Sequence, residues 1–176
     1  MKFCETDLAG AWIIEPEPLR DSRGSFVRTF CELEFAARGL HARFVQHSAS
    51  YSTAKGTLRG MHFQTAPHAG IKVVRCVKGA VLDVIIELRA NSPTLRSWRS
   101  FEFTAENGRQ LYIPQGFAHG FQTLTEAVDV SYLISEFYTP TAAAGVRFDD
   151  PAFGIRWPLP IAAISDKDKT WPDFLG

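Results

Sequence analysis

The chain is poor in cysteine and has no excess charge of either sign. Cys4, Cys31 and Cys76 are an odd set with no CxxC pair, which fits reduced thiols better than a disulfide framework. Lys plus Arg number 19 and so do Asp plus Glu, which argues against broad, nonspecific polyanion binding. Local arginines remain free to hold a phosphate. There is no run of about eighteen apolar residues, and the start, Met1-Lys2-Phe3-Cys4-Glu5-Thr6-Asp7, is too polar for a signal-peptide core. A cytoplasmic protein that binds neither nucleic acid nor membrane is expected. No internal repeat, low-complexity tract or composition break divides the 176 residues, so residues 1–176 are read as one domain.

What is present is a hydrophobic fraction of 45%, enough for a real core, arranged mostly as short β-rich segments. Ala80 to Arg89 alternates, with Leu82, Val84, Ile86 and Leu88 on one face and Asp83, Ile85, Glu87 and Arg89 on the other. Strands are predicted there and over Ser25–Phe30, Arg43–Ser50, Thr57–Phe63, Lys72–Lys78, Trp98–Phe103, Gln110–Ile113, His119–Thr125 and Val128–Ser135. Lys78-Gly79 suits a tight turn. Cys31–Arg38, stopped by Gly39, reads as a two-turn helix, with another short helix near the C-terminus. The tail from Pro140, rich in proline and aromatics, is expected to wrap over the barrel and close one opening. Cys76, in an apolar run, is expected to fill core. The fold class is therefore all-β, a sandwich or barrel with a few short helices.

A glycine-histidine pattern narrows this to a jelly-roll, cupin-like barrel. Gly56, five residues, then His62 keeps the spacing of the first half of the two-histidine pattern of metal-binding cupin barrels, and Gly79 supplies its later glycine. The second ligand position, however, is Gln64. The other half runs from Gly108 through Pro114-Gln115-Gly116-Phe117-Ala118-His119. The scaffold is kept and the metal cage dismantled, which leaves His62 to handle protons. Strict alternation would place Arg59 and His62 on opposite faces, so if both serve one pocket, Gly60 must mark a bulge.

Further matches run over nearly the whole chain: Asp21-Ser22-Arg23-Gly24-Ser25-Phe26, Phe44-Val45-Gln46, Leu58-Arg59-Gly60-Met61-His62-Phe63-Gln64, Lys72-Val73-Val74-Arg75, Ile113 to Phe121, Asp149 to Pro158, and Ser165-Asp166-Lys167-Asp168. In these the chain resembles the dTDP-4-dehydrorhamnose 3,5-epimerases. That resemblance implies a barrel acting without metal or organic cofactor on stereocentres flanking the 4-keto group of a nucleotide-linked 6-deoxy sugar. It implies His62 as base, Asp168 as its carboxylate partner, Lys72 facing the ketone oxygen and Tyr132 as the acid on the other face of the sugar. Arg59, His119, Lys167, Gln46 and Tyr138 would contact the substrate. Arg23 and Phe26 would reach a neighbouring subunit's site in a homodimer that exchanges N-terminal strands.

The residue types suit that chemistry. Removing a proton beside a ketone builds negative charge on the carbonyl oxygen, which a fixed cation stabilises as it forms. An imidazole can take the proton near neutral pH, and a buried carboxylate would orient it. Departures from the family pattern fall at Ser48, Arg28 and the Gly70-Ile71 pair, in its substrate-contacting neighbourhoods. The expectation accordingly rests on reaction type, leaving open the sugar, the nucleotide base and the number of carbons inverted. The alternatives are a non-catalytic nucleotide-sugar-binding barrel and a metal-dependent cupin.

Overall fold

In the computed structural model, which describes residues 1–174, two antiparallel sheets face each other. The strands are β1 (Lys2–Glu5), β2 (Trp12–Glu15), β3 (Leu19–Asp21), β4 (Gly24–Phe26), β5 (Gln46–Ser52), β6 (Leu58–Gln64) and β7 (Lys72–Lys78). They continue as β8 (Ala80–Glu87), β9 (Trp98–Thr104), β10 (Gln110–Ile113), β11 (Phe117–Thr123), β12 (Val128–Ile134) and β13 (Ala143–Gly145). Two short helices, α1 (Glu32–Ala36) and α2 (Asp166–Lys169), complete the chain. One sheet runs β1-β2-β10-β7-β12-β5 and the other β13-β6-β11-β8-β9, while β3 and β4 form a separate hairpin. This is the all-β jelly-roll barrel expected from the pattern of short strands.

The alternation along β8 does not separate wet from dry; both of its faces are buried. Val81 and Ile85 join Val74, Cys76, Leu111, Val130, Phe103 and Phe121 in the core between the sheets. Val84 and Ile86 point the other way, to a second core in which the tail residues Val146 and Phe153, with Ile155 and Trp157 beside them, cover the outside of the five-stranded sheet. The outside of the six-stranded sheet is covered in turn by α1. Phe35 is fully buried there, with Phe3, Phe30 and Phe44 edge-on around it. Burial of a side chain of this size is worth about 1.5–3 kcal/mol, so a barrel covered on both outer faces gains from three cores rather than one.

The C-terminal segment does wrap over the barrel. Thr57 pairs with Ala163 in a parallel bridge, the Gln122 side chain both donates to Leu159 O and accepts from Leu159 N, and Trp157 Nε1 donates to Phe148 O. This lays α2 against β6. Ser165 caps α2 by accepting from the Asp168 backbone N–H.

Candidate active site

A cavity of about 690 Å³ opens between the sheets. It is lined from the five-stranded sheet by Arg59, His62 and His119, from the six-stranded sheet by Lys72 and Tyr132, and from the tail by Lys167, Asp168 and Trp171.

The bulge required at Gly60 is present. On β11, His119 faces His62 and Phe121 faces Arg59, so one residue of β11, Gly120, opposes two of β6, Gly60 and Met61. His119 and Phe121 lie on one face of β11, and the extra residue brings Arg59 and His62 to that same face. Only glycine fits at the crossing. A Cβ on Gly60, whose φ is +144°, would sit 2.6 Å from Gly120 Cα, and one on Gly120 would sit 2.7 Å from Arg59 O.

His62 Nε2 lies 2.6 Å from Asp168 Oδ1, a pair separated by 106 residues in sequence. Asp168 is buried, and its other oxygen accepts the Gly60 N–H at 3.3 Å. Burial opposes its charge, but the hydrogen bonds from His62 and Gly60 prevail and hold the carboxyl below its ordinary range. An ionised Asp168 keeps the proton on Nε2 and leaves Nδ1 as the basic atom of the ring. Trp171 stands edge-on to the imidazole, with ring centres 6.3 Å apart.

Across the cavity, burial pushes the Tyr132 phenol up to about 12, so it holds its proton through the neutral range. Its hydroxyl bonds Ser50 Oγ at 2.8 Å. Lys72 reaches toward His62 from the opposite sheet, with Nζ 3.4 Å from His62 O. Burial lowers this amine to about 8, a nearby Asp83 opposing the shift. His119 Nε2 bonds Asp83 Oδ2 at 2.9 Å, and burial lowers the ring's pKa so that it stays neutral. Arg59 is anchored by Ser52 Oγ (3.0 Å) and Tyr51 O (2.8 Å), with its side chain still exposed.

Of the residues singled out from sequence, His62, Lys72, Tyr132, Asp168, Arg59, His119, Tyr138 and Lys167 all line this cavity. Arg23, Phe26 and Gln46 do not. Arg23 and Phe26 sit on the exposed β3–β4 hairpin, where Arg23 pairs with Asp21, and Gln46 Oε1 accepts from the Tyr138 backbone N–H at the rim. Gln64, at the position of a cupin ligand, ties two loops together instead, since its amide donates to His68 O and accepts from Thr139 N. Asp83, Ser50 and Trp171 were not anticipated as parts of the site. For Asp83 the sequence offered only a carboxylate on a strand face shared with Ile85, Glu87 and Arg89.

A family model for dTDP-4-dehydrorhamnose 3,5-epimerase matches residues 5–175. The chain belongs to this family. It is 44% identical over 173 residues to the dTDP-4-dehydrorhamnose 3,5-epimerase of Methanothermobacter thermautotrophicus, covering 97% of this chain and 92% of that one. The crystal structure of the Elizabethkingia anophelis epimerase superposes with a TM-score of 0.95 at 41% identity, covering 99% of this chain and 96% of that one. The Legionella pneumophila enzyme, in complex with dTDP-4-keto-L-rhamnose, superposes at 0.89 with 36% identity, covering 95% and 89%. Family membership makes this chain an epimerase, an isomerase acting on carbohydrates. No helix among the described residues is long and apolar enough to cross a membrane.

Proposed function

We propose that the chain inverts carbon centres flanking the ketone of a dTDP-linked 4-keto-6-deoxy sugar, with His62, Asp168, Lys72 and Tyr132 carrying the chemistry. The observation that carries this reading is the placement of an oriented His62–Asp168 pair and a protonated Tyr132 on opposite walls of one cavity. His62 Nδ1 removes the proton from the carbon beside the ketone. The Lys72 ammonium stabilises the enolate oxygen as charge develops, and Asp168 balances the imidazolium. Tyr132 delivers a proton to the opposite face, so the carbon is re-formed with inverted configuration. Arg59 and Lys167, exposed at the mouth, are placed for phosphate oxygens and sugar hydroxyls, and Tyr138, 61% exposed, offers a flat surface at the rim.

The same reading assigns a homodimer. The β3–β4 hairpin is exposed at every position, and its two apolar residues, Leu19 at 73% and Phe26 at 68%, stand uncovered by the described residues of the chain. Exchanged onto a second copy, it would bring Arg23 and Phe26 to that copy's cavity. The setting is cytoplasmic. A panel of nucleotide-linked 4-keto-6-deoxy sugars in deuterated water, with the label located by NMR, tests the function. Label at C3, C5 or both of the dTDP sugar is expected, and no incorporation from any member of the panel would overturn it.

A further inference from the structure

A second histidine–carboxylate pair stands at the cavity wall, and half of its carboxylate is unexplained. Asp83 is fully buried on the inner face of β8. One oxygen accepts from His119 Nε2 at 2.9 Å, while the other, Oδ1, is buried without a hydrogen-bond partner. A buried carboxylate with half its acceptor capacity idle is disfavoured unless a nearby cation offsets it. The cation at hand is Lys72, which enters from β7 and lines the same cavity as His119.

Building on the function proposed above, we propose that Asp83 is a positioning residue for the reaction. Its carboxylate fixes His119 as the Nε2–H tautomer and provides the counter-charge that keeps Lys72 cationic at the ketone. With Nε2–H committed to Asp83, the only free ring nitrogen of His119 is Nδ1, which makes no hydrogen bond among the described residues. On a ring that lines the cavity, that atom is an acceptor for a substrate hydroxyl. The titratable groups sharing this interior are His119 on β11, Lys72 and Cys76 on β7, Tyr132 on β12 and His62 on β6, with Asp168 committed to His62 from the tail. Arg59, on β6, acts on the Tyr132 side. The Asp83 charge favours the cationic form of Lys72 and His119 and the neutral form of Tyr132 and Cys76. At Lys72 this matters most, because burial has already brought the amine down to about 8.

Removing the anion lowers the Lys72 pKa further, so the ammonium is lost at a lower pH. Asp83→Asn keeps the shape and can still bond His119, so a purely structural role predicts an unchanged pH profile. The positioning role predicts that the basic limb of kcat moves down by about one pH unit, a roughly fivefold loss at pH 8 that approaches tenfold at higher pH, with little change near pH 6. An unmoved limb in an active, folded Asp83→Asn protein overturns the proposal. Two readouts do not require turnover. In wild-type protein, 15N NMR of His119, assigned with His119→Asn, should show a neutral Nε2–H ring across the working range; an Nδ1–H or charged ring overturns the tautomer assignment even if Asp83→Asn fails to fold. The titration of Lys72 Nζ in wild type and Asp83→Asn should differ in the same direction as the kinetic limb. Absence of any deuterium exchange in wild type would count against the proposed function, and these NMR readouts would still decide the role of Asp83.

Discussion

Two His–Asp pairs lie side by side in this barrel, and they are built to opposite ends. His62 and His119 are cross-strand neighbours, directly opposed on β6 and β11. His62 keeps 44% of its side chain exposed and takes its carboxylate from a tail segment 106 residues away. His119 is 5% exposed and takes its carboxylate from the adjacent strand β8, only 36 residues away. The chemical pair is the same, but in one case the ring is open to substrate space with a partner that arrives last along the chain, and in the other it presents only an edge to the cavity and burial lowers its pKa. What distinguishes the proposed base from the fixed acceptor is therefore burial rather than residue type.

The two pairs should differ most when His62 is changed. His62→Asn should abolish solvent-deuterium incorporation, a loss of about 10²–10⁴-fold for a general base, with circular dichroism unchanged; undiminished exchange would remove His62 as the base. A smaller and more selective effect is expected on the opposite wall. Tyr132→Phe should reduce inversion by roughly tenfold or more while proton removal at the first face persists, since the two steps use different groups. Equal loss of both rates would assign Tyr132 another role. The smallest effect belongs to the buried pair. His119→Asn can still donate to Asp83, and loss of one neutral hydrogen bond to substrate should raise KM by about 2–10-fold with exchange retained. A collapse of exchange as complete as that of His62→Asn would mean that the two histidines are equivalent after all.

Much of the scaffold was legible because its apolar residues obey a period of two. β7 and β10 fall at their expected limits, and β8, β9 and β12 within two residues. β5 begins three residues later than expected because Phe44 is drawn away from the strand to pack against Phe30 and Phe35 over the outer sheet. β1, β2 and β13 carried no readable alternation; they are three or four residues long and defined by their partners rather than by their own pattern. The bulge at Gly60 could be inferred because Arg59 and His62 cannot share a face without it. Asp83 could not be assigned to the site from its position alone, since a carboxylate on a strand face gains its meaning from His119 and Lys72, which only the closed barrel brings beside it.

The Asp168 segment carries a consequence for biogenesis. The other three groups assigned to the chemistry, His62, Lys72 and Tyr132, have all been synthesised by residue 132, well before the tail. His62, the proposed base, acquires its orienting carboxylate only when the strap that pairs Ala163 with Thr57 and sets α2 against β6 has docked. A nascent or clipped chain lacking that strap would be a cavity without a working base, so catalytic competence reports on the completion of folding itself.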